Sequence, residues 1–271
     1  MPYEAAIRLG VFVGLLVLMS ALESFVPRRP RSEGRARHWA INLGLTVVDT
    51  LALRLTLGAA AVQAALMAHA EGWGLLALVD WPEWLEFVVA LVALDFAIYV
   101  QHVLTHALPI LWRLHRVHHS DINLDSSSGV RFHPVEILLS MLYKVALVFA
   151  LGPSPVAVIF FEVILNGCAM FNHANVKLPE GLDRVLRTVL ITPDFHRVHH
   201  SVEVAETNSN FGFSVPWWDW LCGTYRAQPE KGHEAMDLGL AEHRESLGLG
   251  PLLVLPMERR IGDYSFSEDR P

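Results

Sequence analysis

Residues 10–25 read GVFVGLLVLMSALESF and belong to an almost uninterrupted apolar run from Ile7 to Phe25. A helix rises ~1.5 Å per residue, so this run is long enough to cross a hydrocarbon layer of ~30 Å. A cleaved signal peptide carries its positive charges before the apolar run, whereas here RRPRSEGRARH (28–38) follows it. We therefore predict a first transmembrane helix that is retained. The arginines of the following loop should keep that loop on the cytoplasmic side.

The composition of the whole chain also indicates a membrane protein. Of its 271 residues 52% are hydrophobic, more than in an ordinary soluble domain. The two cysteines are too few for a disulfide framework or a cysteine zinc site, so any metal must be held by histidine. The net charge is −7, and Lys and Arg form no run beyond the one loop, which excludes a nucleic-acid partner.

Three further apolar stretches follow, at 40–70, at about 87–106 and at 136–171. The last is interrupted by LGPSP (151–155), whose two prolines predict a turn between two short helices. The sequence thus predicts an all-α integral membrane protein with about four transmembrane helices, the hairpin included. From Lys177 onward we expect a cytoplasmic helical cap that ends in a weakly ordered tail, GDYSFSEDRP (262–271).

Histidines cluster where these segments end. HRVHH occurs at 115–119 and at 196–200, and HVLTH at 102–106. Helix residues i and i+4 share a face, whereas adjacent residues diverge by ~100°, so one HRVHH motif can serve two metal ions. His133 and His173 flank the hairpin. We therefore expect the topology to bring ten histidines to one dimetal site on the cytoplasmic side: His102, His106, His115, His118, His119, His133, His173, His196, His199 and His200.

The choice of metal and function is open at this point. Imidazole ligands suit iron, copper and zinc alike. A zinc hydrolase motif such as HExxH is missing from the sequence, and ten histidines exceed the needs of one metal, which favours two redox metals that activate oxygen. A haem-binding membrane electron carrier and a metal transporter are the alternatives, but both place ligands deep in the membrane rather than in clusters at helix ends.

In its three histidine boxes the chain resembles the fatty acid hydroxylase and sterol desaturase superfamily of membrane di-iron oxygenases. The likeness extends to SSSGVRFHPVE, FNHANVKLP and TNSNFGFSVPWWDWLCGTYRAQP, and so covers roughly 85–229. It divides the chain into N-terminal transmembrane helices and loops (1–84), a hydroxylase-like catalytic region (85–229) and a C-terminal cytoplasmic tail (230–271).

This resemblance implies an enzyme that uses O2, two iron ions and two electrons to hydroxylate or desaturate an unactivated C–H of a membrane lipid. The box histidines would hold the irons, and the lipid would reach them sideways from the bilayer. Because the sequence shows no cytochrome b5 domain, iron–sulfur motif or nucleotide motif, we expect a separate electron donor, either cytochrome b5-like or a ferredoxin with its reductase.

Three carboxylates are candidates to orient the imidazoles, namely Asp95, Glu162 and Asp219. Asp95 lies seven residues before His102, and Glu162 lies eleven before His173, which places each on the face of its histidine. Metal-bound histidines commonly donate their second N–H to a carboxylate. For each of the three carboxylates, a hydrogen bond to another helix is an equal alternative to orienting an imidazole.

Overall fold

The computed structural model describes residues 4–58 and 60–262, and within these the chain is helical, without a β-strand. The α-helices are α1 (Glu4–Phe25), α2 (Arg35–Thr56), α3 (Ala60–Glu71), α4 (Glu83–Ala107), α5 (Pro109–His119), α6 (Pro134–Leu151), α7 (Pro155–His173), α8 (Glu180–Leu186), α9 (Pro193–His199), α10 (Val204–Thr207), α11 (Trp217–Cys222), α12 (Gly232–Ala235) and α13 (Leu249–Val254). The tail predicted to be weakly ordered lies, apart from Gly262, outside the described residues.

Five segments of the described chain are long and apolar enough to cross a membrane, one more than the count of about four predicted from the sequence. They are Ala6–Phe25, Arg35–Leu78, Glu83–Ala107, Pro134–Leu151 and Pro155–His173. The second contains two helices where the apolar stretch 40–70 predicted one. The break follows from Gly58, whose φ of 61° is the left-handed conformation that ends α2.

The hairpin predicted around LGPSP is confirmed. α6 ends at Leu151, and α7 begins at Pro155, whose missing N–H is tolerated in the first helical position. Gly152, at φ 67°, makes the turn, and a Cβ at this residue would lie 2.0 Å from the carbonyl oxygen of Trp73. The tight approach of the loop that follows α3 therefore requires glycine here.

A polar layer, formed by residues 109–133 and 174–262, covers the ends of the long helices where α4 and α7 finish and α6 begins. The arginine-rich loop ties α1 to this layer. Arg31 pairs with Glu23 of α1 at 3.2 Å and with Asp125 of the layer at 2.6 Å, and Arg28 pairs with Asp194 at 3.2 Å. The loop from which the cytoplasmic side was predicted thus also connects α1 to the polar layer.

Part of the region predicted as a C-terminal tail is packed structure. Leu240, Leu252 and Leu255 are buried in one cluster with Trp112 of α5 and Ile41 of α2. Backbone carbonyls beyond α13 accept from α5, for example that of Ile261 from the Trp112 indole at 3.1 Å. The segment around α13 therefore braces the helix that carries the first HRVHH motif.

Candidate metal centre

Nine histidines form two buried groups in the polar layer and at the adjoining helix ends. In each group the candidate ligand atoms lie within 4.8 Å of one another. The five-histidine group contains His102, His106, His115, His119 and His199, and the four-histidine group contains His118, His173, His196 and His200. None of the nine is more than 5% exposed. The structure thus brings together nine of the ten histidines selected from the sequence.

Each HRVHH motif divides between the two groups, as the helical spacing predicts. In the first motif His118 joins the four-histidine group and its neighbour His119 joins the five-histidine group. In the second motif His199 and His200 divide in the same way. The groups adjoin, because the His119 and His200 rings stack with centroids 4.5 Å apart. One pair of short helices, α5 and α9, therefore supplies ligand candidates to both groups.

The four-histidine group has the chemistry of a cation site. The Nδ1–H groups of His118 and His173 donate to backbone carbonyls at 3.2 and 2.6 Å, and burial lowers the pKa of His118 well below its ordinary value. In these neutral rings each Nε2 is a bare lone pair. Yet the two Nε2 atoms lie 3.0 Å apart, and those of His200 and His196 each lie 3.1 Å from that of His173.

Converging lone pairs repel one another unless a positive charge lies between them. Nitrogen separations of 3.0 to 3.3 Å are compatible with metal–nitrogen bonds of about 2.0–2.1 Å to a shared ion. The residues present therefore fit a metal ion at the four-histidine group.

In the five-histidine group, hydrogen bonds at Nδ1 fix the orientation of the rings. His102 donates to the carbonyl of Phe211 and His199 to that of Ser209, both at 2.8 Å, and His115 faces the Glu136 carboxylate at 2.6 Å. The Nε2 atoms of these three rings find no hydrogen-bond partner in the described part of the chain. Burial lowers the pKa of His199 to about 3. Neutral imidazoles with aimed lone pairs are what a second metal ion requires.

Glu136 is the carboxylate that the sequence analysis missed, since it contacts Nδ1 of His115, and His133 in the same segment has a different role. Pro134 starts α6, which leaves His133 as its N-cap. The His133 ring accepts from Val135 N at 3.2 Å and donates to the carbonyl of Leu253 at 3.2 Å, so both nitrogens are engaged. His133 therefore lies outside both groups, and the structure does not bring it together with the other nine histidines.

The three carboxylates predicted to orient imidazoles have other partners. Asp95 accepts from the Trp218 indole at 2.8 Å, and Glu162 pairs with Lys144 at 2.9 Å, which is the helix-to-helix bonding given above as the alternative. None of these partners is a histidine.

Asp219 affects a histidine through the backbone and not by direct contact. Its carboxylate accepts from the backbone N–H groups of Phe211 and Gly212, both at 2.8 Å, and burial raises its pKa to about 6. The same Phe211 supplies the carbonyl that holds His102. Asp219 therefore holds the loop that orients His102.

A second residue that the sequence analysis left aside is His38 of α2. It is buried between Asp121 and Asp125, with ring nitrogens 2.9 and 3.2 Å from their carboxylates. Burial raises the pKa of Asp121, but His38 and Arg131 lower it more, so the carboxylate is ionised. Because Asp121 follows His119 by two residues, this network fixes the chain where the first HRVHH motif ends. Nothing in the spacing of His38 signals this role.

A cavity of about 160 Å³ adjoins the five-histidine group between α4, α6 and α7. His102, His115 and Glu136 form its wall on the side of the group, and Lys144 and Asn166 lie among the residues farther along the helices. Most of the remaining lining is apolar: Ile98, Phe132, Ile137, Leu165, Ala169 and Phe213. We refer to this space as the inner cavity. Its mostly apolar lining matches the chemistry of a hydrocarbon group.

Comparison with known proteins gives consistent matches. The family model described as fatty acid hydroxylase matches residues 87–224, just over half of the chain. An ornithine lipid hydroxylase of Rhizobium tropici is 29% identical over 202 residues, which cover 74% of this chain and 58% of that protein.

Two further relatives match over about half of this chain. The human alkylglycerol monooxygenase is 29% identical over 143 residues, 52% of this chain and 31% of that protein. The rat cholesterol 25-hydroxylase is 25% identical over 145 residues, 52% of this chain and 47% of that protein. The chain thus spans roughly a third to three fifths of the length of these relatives. No solved structure matches the chain.

Proposed function

The chain belongs to the fatty acid hydroxylase family, and on that premise we propose that it is a membrane enzyme that uses O2 and two iron ions to hydroxylate an unactivated C–H of a membrane lipid. The observation that carries the proposal is the convergence of unprotonated imidazole nitrogens in two adjoining buried groups. The names of the relatives favour hydroxylation over desaturation, because they describe hydroxylases and a monooxygenase that act on lipids. When bound, the irons supply the activation of oxygen and the oxidation of the C–H bond.

The residues of the chain hold and orient the site. Nδ1 of five rings is held by an acceptor, which directs their Nε2 atoms toward the metal sites. Backbone carbonyls hold His102, His118, His173 and His199, and Glu136 holds His115. The burial of all nine rings limits the contact of the site with water. Of the nine histidines, His102 and His115 of the five-histidine group line the inner cavity, so a C–H bond bound in this cavity would lie beside that group.

The two electrons come from a separate donor, either cytochrome b5-like or a ferredoxin with its reductase. The arginine-rich loop lies at the end of α1 that meets the polar layer, and by the positive-inside rule this supports a cytoplasmic location of the histidine groups. The donor would dock on that side.

The geometry does not favour a haem carrier. In the four-histidine group the ligand nitrogens lie only 3.0 to 3.3 Å apart, which leaves no room for a porphyrin between them. A transporter needs ligands near the bilayer midplane, whereas these groups lie at helix ends.

The test is metal analysis and isotope labelling of the purified protein in lipid. We expect two iron ions per chain, no strong Soret band, and the incorporation of one oxygen atom from ¹⁸O2 into a lipid when a reductant is supplied. His118→Ala should remove this product. A different metal, a Soret band, or a lipid that gains its oxygen from water would refute the proposal.

A further inference from the structure

A second cavity of about 120 Å³ lies between α4, α5 and α6. Its lining includes Leu104 of α4 and Leu139 of α6, which are 38% and 44% exposed. Both helices are candidate membrane spans, and the two leucines lie on their exposed surface, which bilayer hydrocarbon would contact. We call this space the outer cavity, because it borders that surface.

The outer and inner cavities share a wall. Gln101, Thr105, Glu136 and Ser140 line both. Across this wall Gln101 of α4 donates to the hydroxyl of Ser140 of α6 at 2.9 Å. One turn farther along α6, Tyr143 donates to the carbonyl of Ala97 at 3.0 Å. Side-chain hydrogen bonds therefore close the seam between α4 and α6.

The residues that line the inner cavity are buried or partly buried, except for Asn166 of α7, which is exposed. The third wall of the inner cavity is α7, against which both α1 and α3 pack. The seam between α4 and α6 is the side on which the inner cavity meets the outer cavity. Opening that seam at Gln101 requires only two uncharged side chains to change rotamer, and no helical backbone hydrogen bond has to break.

We propose that the outer cavity binds the hydrocarbon chain of a bilayer lipid, and that this chain passes between Gln101 and Ser140 to reach the five-histidine group. The proposal rests on the proposed function for the identity of the reaction. The lining identifies the occupant as a chain rather than a head group, because Leu104, Leu111, Leu114 and Leu139 dominate it. Glu136 is its one charged residue, and that carboxylate faces His115.

The test uses the iron-loaded protein in vesicles of a phosphatidylcholine that carries a diazirine on one acyl chain. After irradiation, mass spectrometry locates the labelled residues. Ser140→Phe fills the passage, and Leu142→Phe is the matched control, because Leu142 lies on the same helix, is 50% exposed and lines neither cavity. Ser140→Ala removes the hydrogen bond without adding bulk.

We expect the wild type and Leu142→Phe to be labelled in both cavities, at Leu139 and at Leu165. Ser140→Phe should lose the label at Leu165 and keep that at Leu139, with unchanged iron content, and Ser140→Ala should gain label at Leu165. Persistent labelling of Leu165 in Ser140→Phe, or its absence from the wild type, would overturn the route. Labelling involves no oxidation, so the route can fail while hydroxylation is observed, and hydroxylation can fail while the labelling pattern holds.

Discussion

Replacing Glu136 by glutamine should weaken iron binding at the five-histidine group about tenfold without unfolding the protein. Glu136 is 7% exposed, and its Oε1 lies 2.6 Å from Nδ1 of His115, which it fixes with Nε2 toward the other histidines. The carboxylate also makes the imidazole a stronger ligand by accepting its proton. Glutamine keeps an acceptor of the same length but removes the charge.

The magnitude follows from the change in the hydrogen bond. A bond to a charged group contributes roughly 1.5–3 kcal/mol and a neutral one roughly 0.5–1.5 kcal/mol. The difference of about 1.4 kcal/mol corresponds to a factor of ten in affinity. Glu136→Ala removes the acceptor and leaves the His115 N–H buried and unpaired, so we expect a loss of about a hundredfold.

The assay is a competition titration, under anaerobic conditions, of the metal-free protein with Fe²⁺ against a coloured chelator. Asp95→Asn is the matched control, because Asp95 is also 7% exposed and lies on the neighbouring α4, but bonds Trp218 instead of a histidine. We expect its iron affinity to equal that of the wild type. Wild-type affinity in Glu136→Gln, or an equal loss in Asp95→Asn, would refute the role of Glu136 in orienting His115.

Four further outcomes follow from the same geometry. Elemental analysis of His118→Ala should show the loss of one of two irons, and this variant should not form the hydroxylated product. His133→Ala should keep both irons. Thermal unfolding should show that it loses only about 1 kcal/mol of stability, because His133 caps a helix. Gly129→Ala should lower both the melting temperature and the iron content, because its Cβ would lie 2.4 Å from the carbonyl oxygen that accepts from His173; a variant as stable as the wild type would contradict this. As the pH falls from 6.5 to about 3, His199 takes up a proton in the unfolded chain but stays neutral in the folded protein, where it is buried. The free energy of unfolding of the metal-free protein should therefore fall by about 1.4 kcal/mol per pH unit for this residue, and His199→Gln should lose that component of the slope in chemical denaturation.

Much of the architecture could be predicted from the sequence, because it depends on local properties of the chain. Apolar runs of sufficient length identify the long helices, and Pro153 and Pro155 locate the hairpin turn. The break at Gly58 escaped prediction, since a glycine in an apolar stretch is compatible with both a continuous and an interrupted helix until its φ is known.

The division of the histidines between two groups could also be predicted from the sequence. The angle between adjacent helical residues is a property of the backbone, so His118 and His119 had to point to different places whatever surrounds them. The three histidine boxes also sufficed to identify the family, which the match over residues 87–224 confirms.

Only the tertiary structure decided which groups form hydrogen bonds with the Nδ1 atoms of the imidazoles. His133 and Glu136 lie three residues apart in one segment, yet one caps α6 and the other faces His115. The carbonyl that holds His102 belongs to Phe211, which is 109 residues away along the chain. Spacing along a helix determines directions within that helix, but a contact between distant segments depends on how whole helices pack, and no local pattern encodes that.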